Sequence, residues 1–201
     1  MLAAVRLVVT LIVGYVLGSV PVADIVAARR SGVDLRDVGD RNPGYWNAKD
    51  TLGRRAAVPV FVGDVAKGAA AALVGVALAR DTQWWLAYAA TGAAMVGHAF
   101  PVFARFRGGR SVLTFVGGAL VYAPLPAAVA VGILLLVFAV RRRFDVAARA
   151  GIVAFPLVQL VLEGPVRTAA TGALMTFIGV RFVQASRGER RRRALSRSAG
   201  E

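Results

Sequence analysis

Residues 112–140 read VLTFVGGALVYAPLPAAVAVGILLLVFAV. No side chain in this stretch is charged, and Pro124 and Pro126 interrupt it near the middle. A segment in lipid must satisfy its own backbone hydrogen bonds, so a run of this composition reads as helix. The prolines leave two readings, a pair of helices at 112–123 and 125–140 or one long kinked helix. Further apolar runs fall at 7–28, 56–79, 84–104, 150–162 and 165–184. The runs 112–123 and 150–162 are short against the 20 or so residues of a crossing. The fold class expected is all-α and integral to a membrane, with about seven transmembrane helices.

Composition points the same way. The 201 residues are 57% apolar and include 22 Gly, and mean hydropathy is +0.62. At about 20 residues per crossing that fills roughly six to seven spans. There is no Cys and a single His. Disulfide scaffolds, iron–sulfur chemistry, Cys-ligated zinc and His-rich metal sites are thereby excluded. Lys and Arg number 25 against 11 Asp and Glu, a net charge of +14. Such a balance can serve nucleic acid, but here the cations sit between apolar runs and at the chain end, so no nucleic-acid partner is expected.

The basic residues also orient the helices. Segments 29–55, 105–110 and 141–149 carry seven, three and four of them, and the end from Arg181 onward carries seven more. With seven spans these 21 lie on one side, against Arg6, Arg80 and Arg167 on the other. This positive-inside pattern predicts N-out, C-in topology, whereas six spans would put the basic end outside. The run 7–28 is too long for a signal-peptide core and its charges follow rather than precede it, so it reads as a retained span. One membrane domain over 1–186 is expected. A basic cytoplasmic tail, 187–201, is expected to be unstructured and to rest on anionic lipid.

Polar residues inside the spans need an explanation, because ionisable groups in a membrane face protein or a wet cavity. They are Ser19 and Asp24 beside Gly18 and Pro21, then Asp64 and Lys67 one helical turn apart, then His98. An internal ion pair and a substrate role are both open for Asp64 and Lys67. For His98 the choice lies between structural hydrogen bonding and chemistry. Two polar segments flank these spans. Arg36 to Gly53 is rich in Gly, Asn and charge, and Arg105 to Ser111 places Gly108, Gly109 and Arg110 directly before a span. Paired Gly at a helix start with an adjacent Arg is the composition of a phosphate cradle.

These residues resemble a known family, the small bacterial membrane acyltransferases that use acyl phosphate and glycerol 3-phosphate. Gly18-Ser19-Val20-Pro21 resembles its GSIP motif. Gly32 through Gly39 resembles the entry to its GSGNxGATN loop, with Asn42, Gly44 and Asn47 on that loop's Asn, Gly and final Asn. Asp64-Val65-Ala66-Lys67-Gly68 resembles DxxKG. Gly97 to Phe103 and Phe106 to Val112 resemble GHxFPVFxxFKGGKGV. The likeness covers about residues 14–118. It departs at Asp40, at Asp50 in place of an Arg, at Tyr45 and Trp46 in place of small residues, at Arg110 for Lys and at Ser111 for Gly. Arg181-Phe182-Val183-Gln184 stands where the family has HRxN.

The resemblance implies transfer of an acyl group from acyl phosphate to the sn-1 hydroxyl of glycerol 3-phosphate or another phosphorylated acceptor, without metal or organic cofactor, in the bacterial plasma membrane. It implies substrate contacts from Ser19, Arg36, Asn42, Gly44, Asn47, Lys67, His98, Gly108, Gly109, Arg110 and Ser111, and assigns no catalytic residue. Asn42, Gly44, Asn47, Gly108, Gly109 and Arg110 are expected to converge on one cytoplasm-facing pocket. Asp40 and Asp50 would oppose phosphate there by like-charge repulsion unless turned outward. Alternatives are a lipid-binding or regulatory relative without catalysis, and a transporter whose polar spans line a pore.

Overall fold

A computed structural model describes residues 1–80 and 82–198. Among the described residues it is helical with no strand: α1 (Leu2–Gly18), α2 (Val22–Arg30), α3 (Tyr45–Leu52), α4 (Arg54–Leu78), α5 (Trp85–Ala99), α6 (Val112–Tyr122), α7 (Pro124–Arg141), α8 (Phe144–Glu163) and α9 (Pro165–Ser198). Among the described residues six helical stretches are long and apolar enough to cross a membrane, and α6 is a shorter apolar helix. Large apolar side chains such as Phe61, Leu73, Leu136 and Val161 stand on the outer surface, where lipid would cover them.

The sequence-based spans are refined in four places. The run 7–28 is a broken helix, because Pro21 has no N–H to continue the ladder and α2 restarts at Val22. Ala123, with φ −141° and ψ 60°, separates α6 from α7, so the kinked single helix is not formed. The short run 150–162 is the inner part of a 20-residue α8, which absorbs Arg149. The tail expected to be unstructured from 187 continues α9 as helix through Ser198. Extending an existing helix costs little, and Arg, Ala and Leu are good helix formers. Residues 199–201 lie outside the described residues.

Small residues set the packing. The buried stripe of α4 includes Ala57, Gly68, Ala71, Ala72 and Gly75. A Cβ at Gly68 would collide with the Thr114 carbonyl, and one at Gly117 with the Val65 carbonyl. Helices in lipid gain from such close backbone approach, since no hydrophobic force drives them together. At 11 residues, α6 rises only about 16 Å, roughly half of the 30 Å hydrocarbon core. Its start lies deep: Ser111 Oγ donates to the Met95 carbonyl at 2.7 Å, a full turn before α5 ends. Segment 100–111 thus folds back into the bundle beside α5.

Candidate active site

The break between α1 and α2, the loop 31–44, α4 and the segment 100–111 enclose a cleft. Asp24, Arg36, Pro43, Lys67, His98 and Gly109 are among the residues that wall it. Each wall is set by a local conflict between burial and polarity.

Arg36 ties three of these elements together. Its guanidinium pairs with both Asp24 carboxylate oxygens, at 3.0 and 2.6 Å. It also donates to Asp34 Oδ1 at 3.0 Å and twice to the Arg107 carbonyl, at 2.8 and 2.5 Å. All five of its N–H donors are thereby engaged. Burial disfavours the charged guanidinium, but the bonds to Asp24 and then Asp34 outweigh it and raise its pKa. For Asp34, partial burial works against ionisation, yet hydrogen bonds from the Arg36 backbone and side chain hold its pKa below the ordinary carboxylate value. Arg36 therefore lines the cleft as a bracket and offers no free donor there.

Asn47 has a similar inward role. It is 2% exposed. Its Nδ2 donates to the Leu35 and Val38 carbonyls, at 2.7 and 3.0 Å, and its Oδ1 accepts from Thr51 Oγ1 at 3.2 Å. Gly39, at φ +56°, has no room for a Cβ against Asn47 Oδ1. Asn47 thus shapes the loop from beneath. Ser19 is likewise committed, its hydroxyl donating to the Tyr15 carbonyl one turn back, at 2.8 Å.

The loop tip meets the Gly-Gly segment. Gly44 N–H donates to the Asn42 carbonyl at 2.8 Å and Asn42 N–H to Asp40 Oδ1 at 3.1 Å. A Cβ on Gly109 would lie 3.3 Å from Asn42 Oδ1 and 3.2 Å from the Pro43 carbonyl. Arg110 Nη1 donates to Asp40 Oδ2 at 2.9 Å. Of the six residues expected to converge on one pocket, only Gly108 and Gly109 line the cleft; Asn42 meets Gly109 and Arg110 meets Asp40 at its edge, Gly44 touches Asn42, and Asn47 stands behind them against Gly39.

The glycine pair works differently from the sequence-based expectation. Its N–H groups are not free: Gly108 donates to the Ala99 carbonyl and Gly109 to the His98 carbonyl, each at 3.1 Å. A Cβ at Gly108 would overlap the His98 carbonyl, and one at Gly109 would press on His98 Nε2. The glycines let the re-entrant segment lie against α5. The open donors come later, because the first four N–H groups of a helix have no intrahelical acceptor, and for α6 these begin at Ser111. Ser111 itself sits at φ +64°, the left-handed region where the family's Gly would be unstrained.

Beneath the cleft lies a buried charged group. Lys67 Nζ is 2.8 Å from Asp64 Oδ1 and donates to the Val20 carbonyl at 3.1 Å. That carbonyl lies at the break between α1 and α2 and also accepts the Val22 N–H at 3.0 Å. His98 Nδ1 lies 3.5 Å from the same Asp64 oxygen. Asp64, Lys67 and His98 are all under 9% exposed, so both structural and substrate-facing parts are open to them: each also walls the cleft.

The departures from the family pattern are accommodated. Asp50 is 70% exposed beside Lys49 and faces away. Asp40 is occupied by Arg110. Trp46 turns outward against Phe144 at 4.9 Å between centroids, and the half-buried Tyr45 packs on Phe61 at 5.4 Å beside the core around Ala48 and Val60. Arg181, at the position of the missing HRxN, reaches the Gly109 carbonyl at 3.4 Å and covers the Phe100 ring at 4.6 Å. Arg110 covers Phe182 at 4.7 Å, and its Nε is buried without an acceptor. Asp24 and Arg181 were missed as site residues. Asp24 stood out only as a polar residue within a span, and Arg181 only as a topology charge and as the residue in place of the family's HRxN.

A glycerol-3-phosphate acyltransferase family model matches residues 8–191. A glycerol-3-phosphate acyltransferase of Exiguobacterium sibiricum is 44% identical over 115 residues, 57% of this chain and 54% of its own length. The chain thus spans about half the length of this relative. One from Clostridioides difficile is 34% identical over 156 residues, 76% of each chain. Two crystal structures of PlsY, an integral membrane glycerol 3-phosphate acyltransferase, superpose on the fold. The glycerol 3-phosphate form has a TM-score of 0.76 at 29% identity, covering 94% of this chain and 92% of that one. The lysophosphatidic acid form has a TM-score of 0.73 at 27% identity, covering 95% and 93%.

Proposed function

We propose, since this chain belongs to the glycerol-3-phosphate acyltransferase family, that it transfers an acyl group from acyl phosphate to the sn-1 hydroxyl of glycerol 3-phosphate. The hydroxyl oxygen attacks the acyl carbonyl, the bond from that carbon to the phosphate oxygen breaks, and the hydroxyl proton leaves with inorganic phosphate. The lipid product is lysophosphatidate. The observation that carries this reading is the meeting of Asn42 and Asp40 with Gly109 and Arg110, two loops from different helix pairs, over the start of α6. Two phosphate-bearing substrates need two adjacent anion sites. The α6 N-terminus, with its open N–H groups and positive dipole end, suits one. Arg110 on the loop and Arg181 on α9, which reaches the neighbouring Gly109 carbonyl, suit the other. Holding both substrates there supplies most of what such a transfer needs, by orientation and by stabilising charge on the carbonyl oxygen.

The rest of the reading follows from charge placement. Residues 1–186 form one catalytic domain, N-out and C-in, in the bacterial plasma membrane, with the cleft open to the cytoplasm. The Arg-rich end of α9 lies along anionic lipid. Purified protein supplied with acyl phosphate and glycerol 3-phosphate should release phosphate and lysophosphatidate, and Arg110→Ala should lower the rate by about tenfold or more, the value of one charged hydrogen bond. No turnover on either glycerol 3-phosphate or other phosphorylated alcohols would refute the reading and leave a lipid-binding or regulatory relative.

A further inference from the structure

An attacking hydroxyl must lose its proton. Three side chains on the cleft wall are of a type that takes one, the carboxylates of Asp24 and Asp64 and the imidazole of His98, whereas Arg36 and Lys67 are cations. Asp24 is spent, with both oxygens on the Arg36 guanidinium at 3.0 and 2.6 Å. Asp64 is likewise tied to the Lys67 ammonium, at 2.8 Å. That leaves the ring of His98. The chain has one His and no Cys, so this is also its one side chain whose ordinary proton affinity lies near neutral pH.

The ring is held with its two nitrogens on different neighbours. Nδ1 lies 3.5 Å from Asp64 Oδ1, slightly longer than a hydrogen bond, as catalytic pairs often are before substrate arrives. Nε2 faces Gly109, where an added Cβ would press on it. The His98 carbonyl accepts the Gly109 N–H at 3.1 Å, so ring and backbone of one residue meet the same glycine. The next residue is Arg110, a phosphate cation of the proposed reaction. A proton on Nδ1, facing Asp64, leaves the Nε2 lone pair toward Gly109 and the cleft that Gly109 lines. The charged groups around the ring are Asp64 and Lys67 of α4 and Arg181 of α9. Of these only Asp64 can balance a positive charge that forms on the imidazole, the part an aspartate plays behind a catalytic histidine.

We infer that His98 is the general base of the acyl transfer and that Asp64 is the residue that positions it. The inference rests on the acyl-transfer reading. Nε2 takes the proton of the sn-1 hydroxyl as that oxygen attacks the acyl carbonyl. The bond from the carbonyl carbon to the phosphate oxygen breaks, its electron pair leaves with the phosphate, and His98 passes the proton to that phosphate and returns to the neutral ring.

Steady-state kinetics of the full chain in detergent, with acyl phosphate and glycerol 3-phosphate, test it. His98→Gln keeps a polar group of similar reach that takes no proton. It should lower kcat by about a hundredfold or more, the worth of a general base, and leave KM for both substrates as it was. Asp64→Asn should lower kcat less, and should add no further loss to His98→Gln, because it acts through that ring. Should His98→Gln fail to fold, the unmutated chain carries the test, since its single His makes modification by diethyl pyrocarbonate unambiguous. One modified imidazole per chain should abolish turnover, and glycerol 3-phosphate should protect. Turnover that survives in His98→Gln or after modification of His98, or a loss through KM alone, would overturn the inference and leave the acyl-transfer reading standing. No turnover by the unmodified wild type would overturn both.

Discussion

Arg110 and Asp40 form an ion pair at 2.9 Å across two loops, with the Arg110 side chain 23% and the Asp40 side chain 41% exposed. The cation suited to a substrate phosphate is therefore already held by a carboxylate, and a phosphate must displace it.

Asp40→Asn should ease that displacement. The amide oxygen can still accept the Asn42 N–H, so the loop is kept. A pair this exposed is worth at most about 1 kcal/mol, which sets the gain at about two- to fivefold in KM for glycerol 3-phosphate. Steady-state kinetics check it, and a KM that stays the same or rises would show that Asp40 does not compete.

The buried Asp64–Lys67 pair predicts an asymmetry. Asp64→Leu leaves the Lys67 ammonium with only the Val20 carbonyl, and breaking such a pair costs about 3–5 kcal/mol. Lys67→Met leaves Asp64 beside His98 and replaces the stem with one of similar length. Membrane yield and thermal unfolding in detergent should fall clearly for Asp64→Leu and less for Lys67→Met. Equal losses would argue against the pairing.

Gly108→Ala should damage the re-entrant segment and not merely its chemistry. The added methyl meets the His98 carbonyl, which is fixed backbone. Overpacking of this kind costs about 1–3 kcal/mol. A lower melting temperature together with a raised KM is expected, and a change in kcat alone would contradict it.

The Arg36 bracket gives a sign for pH. The Asp34 pKa is lowered in the folded chain from an ordinary value of 3.8. A depressed acid stabilises the fold above its unfolded pKa and loses that contribution as pH falls through the folded one. Thermal stability should therefore decline below about pH 4, and Asp34→Asn should flatten that decline. An identical pH profile in the variant would place the acid sensitivity elsewhere.

Much of this architecture could be read from residue order. The runs around Pro124 and the uneven distribution of Arg located the helices, and the motifs around Asn42, Lys67 and Gly109 named the two loops that meet. What remained hidden is set by packing in three dimensions. That Arg36 spends every donor on Asp24, Asp34 and Arg107 depends on residues up to 71 positions apart. That Gly108 and Gly109 give their N–H groups to α5 depends on how deeply segment 100–111 folds back. Arg181 read as a basic residue in place of the family's HRxN, and only the approach of α9 to Gly109 brings it to the site. Asp40 and Asp50 looked equally hostile to phosphate, yet Asp40 is paired with Arg110 at the loop junction while Asp50 is 70% exposed beside Lys49.

The half-length α6 carries a consequence for traffic. A phosphate held at its start sits below the head-group plane, level with the upper part of the neighbouring acyl chains. In the proposed reaction a water-soluble acceptor is lowered to the depth of a bilayer-soluble donor, and neither has to leave its own phase. The product is then already seated in its leaflet and departs sideways, while phosphate returns to water by the way the acceptor came. In that reaction the lipid would leave the cleft through the bilayer and the ion through water, by different routes.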